Sequence, residues 1–218
     1  MLALSLFGGD EPVRRVLAIG CHADDIEIGC GGTLLALTRS RPNVEVTWVV
    51  LGAGGERAAE ARTSAEEFLA SASHAEVVVH GFKDAYMPYY GESVKEAFEE
   101  LKGVQPDLVL THTRDDLHQD HRLACELTWN TFRDHLVLEY EVPKWDGDLG
   151  RPNLYVPLAD DVVADKLELV LRHFPTQAGK HWYDDETFRG LMRLRGLECA
   201  AASRYAEAFY APKVTLAP

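Results

Sequence analysis

The chain predicts a three-layer α/β sandwich built on a mostly parallel, Rossmann-like sheet. Three observations carry that expectation. Short β-rich apolar runs alternate with helix-patterned stretches through the first two-thirds of the 218 residues, as in strand–helix units that wind a parallel sheet. Those runs lack a strict apolar–polar alternation, as expected of strands covered on both faces. The composition, 46% hydrophobic and 26% charged, allows a real core.

Taken in order, the early strands fall at 16–20, 44–51, 77–80 and 108–111, and the early helices at 32–39, 57–70, 93–101 and 122–133. The later part reads differently. Strands are expected at 137–142 and at 154–157, a short run between prolines, with helices at 160–173 and 184–198. Asp160 and Asp184 suit helix starts, because a carboxylate there accepts free backbone N–H groups. From Tyr205 onward the chain is expected to be irregular or to add a final strand. No repeat, low-complexity segment or long linker interrupts it, so one domain over 1–218 is the simplest organisation.

Charge and cysteine usage narrow the function. With 22 basic and 35 acidic residues the net charge is −13, which repels phosphate backbones and argues against nucleic-acid partners. Solvated helix faces account for most such acidity. Cys21, Cys30, Cys125 and Cys199 form no C-x-x-C pair, and a chain of this length needs no disulfide staples, so reduced thiols are expected. The N-terminal MLALSLFGGDEPVRR lacks the basic region and cleavage site of a leader, and no stretch has the roughly 20 apolar residues that span a bilayer. A soluble, cytoplasmic protein without membrane insertion follows as the expectation.

In open parallel sheets ligands bind beyond the carboxyl ends of the strands, which directs attention to the segments leaving the first and fourth strands. The first reads Cys21-His22-Ala23-Asp24-Asp25. Its following glycines do not match the G-x-G-x-x-G dinucleotide pattern, and two adjacent aspartates would repel a pyrophosphate. His22 offers an imidazole nitrogen and Asp24 and Asp25 offer hard oxygens, the donors of a catalytic zinc site. Alone, the stretch reads equally well as a solvated turn that caps the next helix. The second segment, Asp115 to Arg122, reads D-D-L-H-Q-D-H-R and puts His118 and His121 on one face of a turn or helix. A His-x-x-His pair is weak by itself. Two such clusters leaving the same sheet edge amount to the inventory of a metal hydrolase.

These stretches resemble the signature motifs of the PIG-L/LmbE-type zinc deacetylases, which act on N-acetylglucosamine-containing molecules. The first family motif, A-H-P-D-D-x-E-x-G-x-G-G-T, is met by Cys21 to Thr33, and the second, H-P-D-H, by His118-Gln119-Asp120-His121. Gly55-Glu56-Arg57 with Glu60, and Arg204-Tyr205-Ala206-Glu207-Ala208-Phe209, are similar to later family segments. The resemblance implies that His22, Asp25 and His121 hold Zn2+, with Fe2+ or Co2+ as alternatives for a two-nitrogen, one-carboxylate set. It implies Asp24 as the general base, His118 as the protonated group that stabilises the oxyanion or assists the leaving amine, Asp120 as its orienter, and Arg57 as a substrate contact. His112, at a strand end beside the site, is a candidate to line the pocket. The implied reaction is removal of an N-acetyl group from an amino sugar, as a sugar nucleotide or glycoside. The partner is then a small-molecule substrate, and a homo-oligomer is compatible with the family. Rivals are an amidase for another acyl group and a non-catalytic sugar- or metal-binding member.

Two departures from the pattern bear on the site. Ala23 replaces a proline, which frees a φ angle but removes no ligand. Asp116 stands where some relatives carry an oxyanion-stabilising tyrosine, leaving His118 alone in that role or sharing it with His112, Arg114 or Tyr183. Trp145, Trp182 and Tyr183 are candidates to stack on a sugar ring, and Glu139, Glu141 and Asp146 to form a polar rim; core packing and solvated loops explain these residues equally well. The segments 52–57, 83–92 and 142–152 are the expected specificity loops.

Overall fold

A computed structural model describes residues 13–215; most of the N-terminal run considered above lies outside them. The early strands are β1 (Arg15–Gly20), β2 (Glu45–Val50), β3 (His74–Val79), β4 (Leu108–His112) and β5 (Leu136–Tyr140). They pair in parallel throughout. β6 (Leu154–Pro157) and β7 (Ala206–Tyr210) complete one sheet of seven strands in the order β3-β2-β1-β4-β5-β7-β6, with β7 antiparallel to both neighbours. The tail therefore adds a strand between β5 and β6.

The helices are α1 (Asp25–Ser40), α2 (Glu56–Phe68), α3 (Gly91–Leu101), α4 (Gln119–Thr131), α5 (Asp160–His173) and α6 (Asp185–Glu198). β1 shows why the sheet is covered on both sides. Val16 and Ala18 enter a core shared with α1, α2, α5 and α6, while Leu17 and Ile19 enter a second core shared with α3 and α4. Helix–sheet–helix layering follows, and the continuous apolar runs of the parallel strands are its sequence trace.

α1 begins at Asp25, seven residues before the expected start at Gly32. The glycines that suggest a turn are instead places where α1 approaches its neighbours too closely for a side chain. A Cβ at Gly29 would stand 2.2 Å from the Tyr140 ring, one at Gly31 2.7 Å from Phe68, and one at Gly32 2.6 Å from Leu158. Glu207 of β7 accepts hydrogen bonds from the backbone N–H groups of Gly32 and Thr33, while Lys166 of α5 donates to Ile28 O and pairs with Glu207. The helix is thus clamped to the sheet through a buried ion pair.

β1 and β4 are neighbours, but the chain leaves β1 toward β2 and β3 and crosses back to reach β4. The carboxyl ends of these two strands form the crevice where such sheets bind ligands. Cys21 to Asp25 leave β1 there, and Thr113 to His121 leave β4 there.

Candidate active site

His22 sits in the short turn between β1 and α1, and Asp25 is the first residue of α1. His121 lies in the first turn of α4, whose N-cap is His118. Topology brings the three together. His22 Nδ1 lies 3.4 Å from Asp25 Oδ2 and 3.2 Å from His121 Nε2, and His121 Nε2 lies 3.4 Å from Asp25 Oδ2. Four donors arranged tetrahedrally at about 2.0–2.1 Å from one ion stand about 3.4 Å apart. The triangle therefore has the edge length that a small divalent ion requires.

The protonation pattern agrees. His22 Nε2 faces two carboxylates, Asp84 Oδ1 at 3.0 Å and Asp120 Oδ2 at 3.3 Å, so its proton belongs on Nε2 and Nδ1 presents a lone pair. His121 Nδ1 faces Asp116 Oδ2 at 2.9 Å, which leaves the Nε2 lone pair turned toward the same point. Two lone pairs and a carboxylate oxygen converging within hydrogen-bond distance repel one another unless a cation lies between them. Carboxylate support of a ligating imidazole is also what metal sites use to fix the ring. Burial opposes a positive charge on His22, yet Asp25, Asp120 and Asp84 hold its pKa well above the ordinary value. Burial likewise opposes charge on Asp25, and His121, His112 and His22 outweigh it and hold that carboxyl well below its usual range. A site that so strongly favours positive charge between its side chains suits a divalent ion.

Asp24 is buried beside this triangle. Its Oδ1 accepts a hydrogen bond from Arg57 Nη2 at 2.8 Å, whereas its Oδ2 has no partner. Burial raises its pKa, against the lowering effect of Arg57. Arg57 is held in turn by Glu60 and Thr176 and lies over the Phe174 ring. The Phe174-Pro175-Thr176-Gln177 stretch thereby supports the arginine, and Gln177 reaches the cleft.

His118 Nδ1 accepts the backbone N–H of Asp120 at 3.3 Å, so its Nε2 carries the proton. Burial and the neighbouring His121 and His22 lower its pKa. Asp120 orients His118 through this amide, and its carboxylate is used elsewhere: it accepts from the backbone N–H groups of Ala85 and Met87 and faces His22. That carboxylate pins the loop after β3, in which Ala85 has a φ of 63°. The loop delivers Asp84, a residue the sequence reading missed. Burial opposes the charged form of Asp84 less than its hydrogen bond with His22 favours it, and its pKa falls to about 2. The signal that could have found it was its position in a loop at the same sheet edge.

Above the triangle lies a cleft of about 510 Å³. His22, Asp24, Asp25, Arg57, His118 and His121 line it, together with Trp145 and Trp182. All three expected specificity loops contribute, through Gly52 to Gly54, Lys83 and Asp84, and Lys144 to Asp146. His112 does not line it. The last residue of a central strand, it is fully buried against Asp25 and Cys21, with burial pushing its pKa down to about 4. Neither Arg114 nor Tyr183 faces the cleft: Arg114 pairs with Glu139, and Tyr183 donates to Val170 O. Glu139 and Glu141 are buried ion-pair partners of Arg114 and Arg195, leaving only Asp146 of the expected rim on the cleft. Asp116, in the tyrosine position, holds His121 and pairs with Lys144.

The fold is shared with solved structures of low identity. N,N'-diacetylchitobiose deacetylase from Pyrococcus horikoshii is 22% identical, with a TM-score of 0.70 over 90% of this chain and 83% of its own. The 4-carboxy-2-hydroxymuconate hydratase GalB from Pseudomonas putida is 17% identical, with a TM-score of 0.71 over 94% and 98%. The zinc-inhibited form of the teicoplanin deacetylase Orf2 is 14% identical, with a TM-score of 0.68 over 90% and 97%. No curated protein matches the chain. A deacetylase and a hydratase on one fold show that the fold alone does not select the reaction. The family model described as PIG-L, GlcNAc-PI de-N-acetylase, matches residues 17–132, just over half of the sequence, and the chain belongs to that family.

Proposed function

We propose that the protein is a metal-dependent hydrolase that removes the N-acetyl group from an N-acetylated amino sugar. The observation that carries this reading is the convergence of His22 Nδ1, Asp25 Oδ2 and His121 Nε2 beside a carboxylate, Asp24, whose Oδ2 has no partner. His22, Asp25 and His121 would hold the ion; the donor set is compatible with Zn2+, Fe2+ or Co2+. When bound, such an ion polarises a carbonyl and acidifies water.

The chain's own groups supply the rest. Asp24 is fixed by Arg57 on Oδ1, so Oδ2 is the free acceptor that takes a proton from the attacking water. Its raised pKa lets it keep that proton and return it to the departing amine, the behaviour required of a base that later acts as an acid. His118, with its proton on Nε2, donates to the oxyanion as a neutral imidazole. The resemblance implies a protonated His118, whereas burial lowers its pKa and favours the neutral ring. A donor of this kind is typically worth about 3–4 kcal/mol in the transition state. Asp84 and Arg57, which both line the cleft, suit the hydroxyl groups of a sugar, and Trp145 and Trp182 offer rings for its faces. A non-catalytic binding role is disfavoured by Asp24, since holding a ligand requires no base with an open oxygen.

The test pairs elemental analysis with acetate release from a panel of N-acetylglucosaminides. About one divalent ion per chain is expected, lost in His22→Ala/His121→Ala, with acetate release dependent on it. Asp24→Asn is expected to retain the ion and lose about 10²–10⁴-fold in turnover. An Asp24→Asn protein with full metal content and full turnover would remove Asp24 from the mechanism, and a wild-type chain that binds no metal would refute the hydrolase reading.

A further inference from the structure

Arg57 caps one oxygen of Asp24, and two side chains outside the cleft fix the guanidinium that does so. Arg57 and Glu60 lie three apart on α2 and so share one face of that helix. Arg57 Nη1 donates to Glu60 Oε2 at 3.2 Å and to Thr176 Oγ1 at 3.3 Å. Thr176 comes from the turn after α5, 116 positions from Glu60, and donates its hydroxyl proton to Glu60 Oε2 at 2.6 Å. Its backbone N–H reaches Glu60 Oε1 at 3.0 Å. Phe174 adds a ring whose centre lies 5.5 Å from the guanidinium carbon.

Every hydrogen-bonding position of the Thr176 hydroxyl is occupied. A hydroxyl has one proton and two acceptor lone pairs. Thr176 gives the proton to Glu60 and receives Arg57 Nη1 and, at 3.3 Å, Gln177 Nε2. With Nη1 held by two acceptors, the planar guanidinium presents Nη2 in one direction, and there it meets Asp24 Oδ1 at 2.8 Å. Asp24 Oδ2 is thereby the oxygen left without a partner. A guanidinium free to pivot about Glu60 alone could cap either oxygen or swing away from both. Neither Glu60 nor Thr176 lines the cleft, so both act through Arg57.

We propose that Thr176 and Glu60 are positioning residues that, through Arg57, decide which oxygen of Asp24 serves as the base. The inference rests on the hydrolase reading, since only there is Asp24 a base. Orientation of a base counts in turnover rather than in substrate affinity, because the proton moves only as the transition state forms. Displacing a reacting group by about 1 Å costs on the order of 10²-fold in rate. Thr176→Val removes the hydroxyl with little change of shape, and Thr176 is exposed, so the fold is spared. Thr176→Ser keeps the hydroxyl and serves as the conservative variant.

The experiment joins side-chain nitrogen NMR of the metal-free chain to steady-state acetate release by the metal-loaded chain from the panel of N-acetylglucosaminides. Wild type, Thr176→Val and Thr176→Ser are compared. A held guanidinium rotates slowly about Cζ–Nη and gives resolved Nη–H signals, which Arg57→Lys assigns by their loss. Wild type is expected to show these signals, Thr176→Val to lose them and Thr176→Ser to regain them. In step, kcat should fall about 10–100-fold in Thr176→Val with KM within about threefold of wild type, and recover in Thr176→Ser. Signals absent from wild type, or surviving in Thr176→Val, overturn the hold assigned to the hydroxyl. An unchanged kcat, or a rise in KM alone, overturns the step from Arg57 to the base and leaves the hydrolase reading intact. A Thr176→Ser protein as slow as Thr176→Val assigns the loss to packing and overturns the proposal as well. A wild type that releases no acetate from any of the panel sinks the reading of Asp24 as a base, and this proposal with it.

Discussion

Asp120→Asn separates two duties that one buried carboxylate performs. Its oxygens accept the Ala85 and Met87 amides at 2.7 and 3.1 Å, and one of them faces His22 Nε2 at 3.3 Å. Ala85 has a φ of 63°, a left-handed conformation that costs a residue with a Cβ about 1–2 kcal/mol. The loop keeps that shape because the carboxylate draws both amides to it. Asparagine preserves the volume but replaces one acceptor with an NH2, so either a backbone amide or His22 meets a donor. Losing one hydrogen bond to a charged group costs about 1.5–3 kcal/mol, and more where the abandoned donor stays desolvated. We therefore expect a stability loss of about 2–4 kcal/mol, read from urea melts of the metal-free protein. The metal-bound readout is independent. Removing the carboxylate behind a ligating imidazole lowers metal affinity by about 10–100-fold, measurable by competition with a chromophoric chelator. Stability within about 0.5 kcal/mol of wild type, together with unchanged metal affinity, would refute both the loop-pinning and the imidazole-support arguments.

Three further outcomes follow from the same structure. Lys166→Met removes the cation of the buried pair that clamps α1, leaving Glu207 uncompensated at a cost of about 3–5 kcal/mol in denaturant melts; Glu207→Gln added to it should restore part of that loss. Gly29→Ala drives a methyl group into Tyr140, whose hydroxyl is anchored on Ile19 O; overpacking of about 1–3 kcal/mol should outweigh the roughly 1 kcal/mol that alanine returns in helix propensity. Asp184 caps α6 by accepting the Thr187 N–H, which holds its carboxyl below the ordinary 3.8. A depressed folded-state pKa contributes stability above the unfolded value and loses it as pH falls through the folded one, so Asp184→Asn should flatten the acid limb of the stability profile below about pH 4.

Much of the fold was legible because the physics that writes it is local. Strands buried on both faces must be apolar throughout, and helices between them must carry a polar face, so β1 to β5 and α2 to α5 could be placed within a few residues. The start of α1 could not. Gly29, Gly31 and Gly32 read as a turn because glycine weakens a helix when its own chain alone is considered. Their reason lies in Tyr140, Phe68 and Leu158, which come from three distant parts of the chain and leave no trace beside the glycines. Glu207 was recognised only as part of a motif. Its work, holding the Gly32 and Thr33 amides, joins residues 174 or more positions apart.

The limit is sharper within the site, where five aspartates crowd one sheet edge and spacing alone cannot divide their labour. What separates them is the partner each one faces. Asp25 looks onto three imidazoles and can serve as a ligand. Asp24 has one oxygen tied to Arg57 and one free, as a base requires. Asp116 and Asp120 spend their carboxylates on His121 and His22, and so fix which nitrogen of each ring is left for the metal. Asp84 closes the set from a loop that Asp120 pins through the Ala85 and Met87 amides. His112 shows the same principle from the other side. At the end of β4 both flanks of the strand are covered, so no periodicity could tell the cleft from the core, and the ring lies behind Asp25 rather than before it. The distinction is consequential, because an imidazole on that side accepts the Cys21 N–H and supports Asp25 from behind without touching substrate.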